Sequence, residues 1–150
     1  MDPQAVISLG KVGAAAAISL AAIGSALGTG AAAIAAIGAW KKCYAQNKMA
    51  PFMLVAFVGA PLSQTIYGMI VMGNIATAAN NGAMWHALVG AGILGGIAMG
   101  MTAWLQGRAG AGASDALAET GQGFGNYLMA LGVIETVALF VMVFIGRAIA

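Results

Sequence analysis

Charge is what this sequence has least of. Of its 150 residues, 7% are Asp, Glu, Lys or Arg, against 61% hydrophobic, and the mean hydropathy is +0.93. A soluble domain carries about 25% charged residues. A surface built from this composition could not face water, so the chain reads as one integral membrane domain over residues 1–150. Cysteine is nearly absent too. Cys43 is alone, which excludes an internal disulfide and a cysteine-based metal site, and it reads as a plain loop thiol. His86 is the only histidine and makes no metal site by itself. A net charge of +2, with its basic residues gathered in loops, offers no nucleic-acid patch. Gly24-x-x-x-Gly28-x-Gly30 has no following Lys and sits inside an apolar run, so it packs helices rather than cradling phosphate. No cofactor is expected. The first apolar run is too long for the core of a signal peptide, and none is expected.

The few charges punctuate the chain. Asp2, Lys11, Lys41, Lys42, Lys48, Arg108, Asp115, Glu119 and Arg147 bracket uncharged runs at Val12–Trp40 and Met49–Gly107, and a third run, Thr120–Gly146, is interrupted only by Glu135. A helix needs about 20 residues to cross the hydrocarbon core. The middle run is too long for one crossing and breaks at the polar stretch Asn74–Gly82. The expected fold is therefore all-α, with transmembrane helices near residues 5–42, 49–78, 83–114 and 123–147. Lys41, Lys42, Lys48 and Arg108 lie toward one side, against Lys11 and Arg147 on the other. The excess of basic residues predicts cytoplasmic loops at 41–48 and 115–122, with both termini outside.

The helices differ in kind. From Val12 to Ala39, 18 of 28 residues are Gly or Ala, and the third helix carries Gly90, Gly92, Gly95, Gly96, Gly100 and Gly107. Gly24-x-x-x-Gly28 and Gly96-x-x-x-Gly100 are spacings that let backbones approach closely. Helices 1 and 3 are thus expected to form a crowded inner layer. Sliding helix 1 by 79 residues sets Gly13 on Gly92, Ile18 on Ile97, Gly28 on Gly107 and Ala32 on Ala111. Sliding helix 2 by 71 sets Gln64-Thr65 on Glu135-Thr136. The chain reads as two tandem hairpins, about 5–78 and 83–147, in a parallel repeat. Gln64 is the neutral counterpart of Glu135.

Glu135 is the one charge inside the apolar spans. A carboxylate at the bilayer centre costs about 2.5–3.5 kcal/mol on insertion scales, and such groups usually face a protein interior on an ion or proton path. Residues equidistant from a hairpin turn share a depth. Gln106 and Glu135 are centred on the Glu119–Gln122 turn, and Leu27 and Gln64 on the Lys41–Lys48 loop. Gln106 is level with Glu135 if helix 3 continues past Arg108, whose side chain is then expected to snorkel toward the cytoplasmic surface. Ser63, Gln64, Thr65, Tyr67 and Thr136 complete the intramembrane polar set. Pro61 removes an N–H and frees the Phe57 carbonyl. A proton needs only the carboxylate. A hard monovalent cation needs several oxygens and one negative charge, and this set supplies both. The plainer reading is a packing network, since Gln, Ser and Thr also hydrogen-bond between membrane helices at about 0.6 kcal/mol each. It suits Thr65, Thr136 and Ser63 taken singly better than it suits Glu135.

Four segments together resemble the proteolipid (c or K) subunit of V-type and A-type rotary ATPases in its four-helix form. They are Gly24-Ser-Ala-Leu-Gly-Thr-Gly-Ala-Ala-Ala33, Pro61-Leu-Ser-Gln-Thr-Ile-Tyr-Gly68, Leu105-Gln-Gly-Arg108 and Val133-Ile-Glu-Thr136. The resemblance implies a ring of identical copies in the cell (inner) membrane, a stator subunit bearing an arginine, and a central-stalk subunit. By position it implies that Glu135 carries the ion and that Ser63, Gln64, Gln106 and the Ala60 carbonyl bind sodium beside it. Tyr67 would close the site with a hydrogen bond to the carboxylate. Ser63 stands where the sodium-type pattern has Thr; the hydroxyl survives and the methyl is lost. The implied role is ion translocation coupled to ATP hydrolysis or synthesis by a subunit that is no enzyme on its own. The transported ion is sodium or a proton. A small four-helix drug/proton antiporter is the alternative, although such proteins place their glutamate in the first helix and lack the hairpin repeat.

Overall fold

The structure, a computed structural model, describes residues 2–149. It is all-helical among these residues. Helix α1 is Pro3–Ala45, α2 is Leu54–Gly59, a 3-10 turn covers Ala60–Leu62, α3 is Ser63–Asn80, α4 is Trp85–Thr120 and α5 is Phe124–Ala148. The segments α2, turn and α3 make one span, Leu54–Asn80, so four helices are long and apolar enough to cross a membrane. The chain is a multi-pass membrane protein.

The expected helices are all present; each runs past its expected C-terminal end, and three begin later than expected, for local reasons. α4 runs to Thr120, six residues past the expected stop, because Asp115 and Glu119 are exposed there and need no loop to reach water. The stop is set by Gly121 and Gly123, whose φ of 67° and 87° suit a residue without a side chain. The turn is therefore shorter than the expected 115–122 loop. α1 likewise continues to Ala45. Cys43 is consequently not a loop thiol but a buried helical residue, its Sγ 3.9 Å from the Ala118 carbonyl. The span expected from residue 49 begins helically at Leu54, since Pro51 and the preceding residues form a connection pinned by the Trp40 Nε1–H donating to the Pro51 carbonyl at 2.8 Å.

Helices α1 and α4 hold the centre. A 43-residue and a 36-residue helix at ~1.5 Å per residue exceed the ~30 Å hydrocarbon core, so both project beyond it. They run parallel and touch backbone to backbone. A Cβ on Gly92 would collide with Gly13, one on Gly24 with Gly100, and one on Gly107 with Gly28. Glycine is required at these positions by proximity, not by dihedral angle. Two of the three contacts, Gly13–Gly92 and Gly28–Gly107, are the pairs the repeat aligns at its 79-residue offset. The sequence repeat is thus also the packing register, as expected when two equivalent helices face each other.

Outer helices then pack on this pair. Gly68 of α3 meets Ala21, and Pro61 meets Gly28. These contacts put Ser25 rather than Leu27 level with Gln64, a two-residue correction to the depth expected from hairpin symmetry. The shift arises because the Pro51 connection and the 3-10 turn break the uniform rise assumed for that hairpin. On the second hairpin, Gly95 lies under Ile145, and the expected Gln106–Glu135 level holds. Two apolar clusters flank the polar mid-section. One contains Val71, Ile75, Leu88 and Met99, and the other contains Leu54, Phe57, Leu117 and Leu131.

Candidate ion-binding site

Between those clusters, the 3-10 turn and α3, α4 and α5 bring five expected side chains and one carbonyl into a single network. Pro61 is fully buried and opens the 3-10 turn at Ala60–Leu62. This tightening follows from its missing N–H, which cannot serve the Phe57 carbonyl. The turn draws Ala60 and Ser63 together. The Ala60 carbonyl accepts both the Ser63 backbone N–H and the Ser63 hydroxyl, the latter at 3.1 Å. The same hydroxyl lies 3.2 Å from Gln64 Oε1.

Gln64 and Gln106 are both fully buried. Gln64 Nε2 donates to Gln106 Oε1 at 2.8 Å. Gln106 Nε2 donates in turn to the Leu131 carbonyl at 3.0 Å and to Glu135 Oε2 at 3.3 Å. Gly107, pressed against Gly28, admits α1 at this level and places Gln106 where α3, α4 and α5 converge. Burying two amides without partners would cost about 1–3 kcal/mol for each orphaned group. Here each amide uses the other, so the pair is satisfied and held in one orientation.

Glu135 is half-buried. The Tyr67 hydroxyl donates to its Oε1 at 2.6 Å, a short charge-assisted bond. The carboxylate therefore has one donor from each of two other helices. No Lys or Arg forms an ion pair with it among the described residues, where both ion pairs belong to Lys42. A group so placed can hold a proton or a monovalent cation without internal competition for its charge. It also remains partly exposed, so a group outside the chain can reach it.

The remaining polar residues fall outside the network. Thr136 is exposed and donates to the Val133 carbonyl of its own helix at 2.7 Å, so it neither joins the site nor bridges helices. Thr65 makes no part of the chain of bonds joining Ser63, Gln64, Gln106, Glu135 and Tyr67. Asn80, Asn81 and His86 are exposed at the outer turn. The Arg108 guanidinium lies 5.6 Å from the ring of Trp104, one turn back along α4, a cation–π contact that steadies its long side chain. The bond from Gln106 to the Leu131 carbonyl was not foreseen, and no side-chain pattern announces a backbone acceptor.

Residues 89–145, most of the second hairpin, match the model of the ATP synthase C-subunit family. Members of that family are ion-translocating rotor proteins that are not catalytic by themselves. The matched segment contains both Gln106 and Glu135. No curated protein matches the chain.

Proposed function

We propose that this chain is the rotor-ring subunit of a V-type or A-type rotary ATPase, and that each copy carries one sodium ion on Glu135. The reading is carried by one observation: a half-buried carboxylate, bonded by Tyr67 and Gln106, at the end of an oxygen-bearing chain through Gln64, Ser63 and the Ala60 carbonyl. The match of residues 89–145 to the ATP synthase C-subunit family supports the rotor role. The second hairpin and its fused neutral partner support the four-helix form.

The donor set suits the ion. A sodium ion stripped of water needs about six oxygen ligands in all, as hard cations do. Glu135 gives the charge, and the Ser63 hydroxyl, the Gln64 and Gln106 amide oxygens and the Ala60 carbonyl give neutral oxygens. Each of these oxygens takes part in a hydrogen bond in the structure. Loading sodium exchanges those bonds for metal–oxygen contacts at little change in total coordination. Tyr67 then shields the neutralised carboxylate from the lipid-facing side.

Rotation follows from charge. A loaded copy is neutral at this depth and can face hydrocarbon; an unloaded Glu135 is an anion and cannot. It must give up its ion opposite a fixed positive charge, which a stator arginine supplies, and reload before re-entering lipid. Each sodium crossing is worth about 2.3 kcal/mol per 100 mV. With Gln64 neutral, each copy moves one charge, so a nucleotide cycle can be divided over several small steps. In this reading identical copies close the ring in the cell (inner) membrane, and both termini lie outside. The hairpin turns face the cytoplasm and meet a central-stalk subunit.

Carbodiimide labelling of Glu135 in native membranes tests the ion. Sodium is expected to protect Glu135, with labelling recovered when sodium is removed. Labelling that depends on pH and ignores sodium would turn the site into a proton carrier. Absence of labelling under every condition would leave Glu135 a structural residue and defeat the rotor reading.

A further inference from the structure

Two hydroxyls on α1 lie outside every bond described above. Ser25 is 2% exposed, Thr29 is half-buried, and the Ser25 Oγ and Thr29 Oγ1 atoms are both shut off from solvent without a hydrogen-bond partner. Four other helical hydroxyls in this chain satisfy themselves on the carbonyl one turn back. Ser8 does so with Gln4, Thr102 with Ala98, Ser114 with Gly110 and Thr120 with Ala116. Ser25 and Thr29 have the same option and make no such bond. An orphaned buried hydroxyl costs about 1–3 kcal/mol, and natural interiors answer such groups with a bound water more often than they leave them bare.

Their position is specific. Four residues apart, they share one face of α1. Moving three residues along each helix from the Gly28–Pro61 contact, or four from the Ala21–Gly68 contact, arrives both times at Ser25 opposite Gln64. One turn further, Thr29 is level with Ala60. The two unpartnered hydroxyls thus stand beside the Pro61 turn, level with two of the proposed sodium ligands. That turn has a carbonyl more than it has N–H groups.

We infer that Ser25 and Thr29 seat a buried water that braces the Ala60–Gln64 turn, making them positioning residues for the ion site. This rests on the ion-binding reading of Glu135. The water bonds to both hydroxyls and to the turn, and fixes the separation between α1 and the 3-10 segment. Neither hydroxyl touches the ion. Their loss loosens Ala60 and Gln64 together while leaving Glu135, Tyr67 and Gln106 in place.

The test uses native membranes carrying the whole assembly, with Ser25→Ala, the near-isosteric Thr29→Val, and Thr29→Ser as the hydroxyl-keeping control. The sodium concentration that half-protects Glu135 from carbodiimide should rise about five-fold in Ser25→Ala and Thr29→Val, the equivalent of one ordinary hydrogen bond. Thr29→Ser should stay near wild type, and thermal stability of the assembly should not explain the order. Unchanged sodium protection in both hydroxyl-free variants overturns the inference. If wild-type Glu135 ignores sodium, the sodium reading fails by itself and the pH of half-labelling decides. A displacement of about 0.7 unit in both variants, the same energy expressed as a titration, sustains the positioning role, and an unmoved midpoint rejects it.

Discussion

The two hairpins share a plan and divide the work. In the first, the outer span is broken at Pro61 and packed hard: α3 buries Gln64, Gly68, Val71, Ile75, Ala78 and Ala79. In the second, α5 is an unbroken helix that buries only Leu131 and Ala138. The packed hairpin has the neutral amide, and the loosely held one has the carboxylate. In the function proposed above Glu135 releases and rebinds an ion, and such a group belongs on the element with fewer buried contacts, since such elements open at the lowest free energy. The rigid partner supplies what must stay still: the Ala60 carbonyl, the Ser63 hydroxyl, the Gln64 amide and the Tyr67 clasp. Under that proposal the asymmetry is a separation of seat from lid, superimposed on the repeated hairpin.

The severest way to break the comparison is to exchange the two side chains. Glu135→Gln makes both hairpins neutral, and ATP-driven sodium uptake into vesicles should fall to background. Gln64→Glu combined with Glu135→Gln restores the count of charges but places the carboxylate on the packed span, fully enclosed and beside the Gln106 Oε1 that now accepts its amide. Uptake should stay at background. Coupled transport by the exchanged protein would mean that the hairpins are interchangeable and that packing has no part in the mechanism.

A less drastic break acts where the hairpins meet. A Cβ on Gly28 would collide with the Ala103 carbonyl and approach the Pro61 Cβ at 3.0 Å, and one on Gly107 would collide with Gly28. Because the obstacles are backbone, neither can step aside. Gly28→Ala and Gly107→Ala should each cost about 1–3 kcal/mol or more of stability, the range for overpacking, read as loss of the assembled protein on heating in detergent. On α5, Gly132 has nothing within 4 Å of an added Cβ, and Gly132→Ala should show no such loss. If Gly132→Ala is as damaging as Gly28→Ala, α5 is covered in the assembly by something as close as α4 is to α1.

Much of this was legible in the residues because membranes leave few options. Scarce charges fixed the spans, since a helix in hydrocarbon must satisfy its own backbone. The small-residue density of helices 1 and 3 gave away the crowded inner pair, where Gly13 and Gly28 meet Gly92 and Gly107, and Gln106 lies level with Glu135 as hairpin symmetry requires. What escaped were places where local geometry overrides uniform rise. The 3-10 turn at Pro61 moved the first hairpin's register from Leu27 to Ser25, and Cys43 proved buried because α1 outlasts its charges. The contact of Arg108 with the Trp104 ring one turn back is likewise a local pairing that composition does not decide. The hydroxyls of Ser25 and Thr29 drew no notice in a Gly- and Ala-rich helix; only their missing partners mark them.

The gentlest way to sharpen the comparison lies at the end of the molecule where Lys42 of the first hairpin reaches Asp115 at 3.0 Å and Glu119 at 3.1 Å on the second. The three side chains are each more than half exposed (52%, 59% and 60%). Exposed pairs of this kind gain little, because water and salt screen them and ordering long side chains opposes them. The hairpins are already locked by backbone contact along α1 and α4, so the ion pairs add alignment at the turns rather than cohesion. Lys42→Ala should therefore lower the thermal midpoint of the assembly slightly in dilute buffer, and the difference should vanish in about 1 M potassium chloride, where the screening length is about 3 Å. A large, salt-resistant loss would show that the charged turns, and not the glycine contacts between α1 and α4, hold the seat and the lid together.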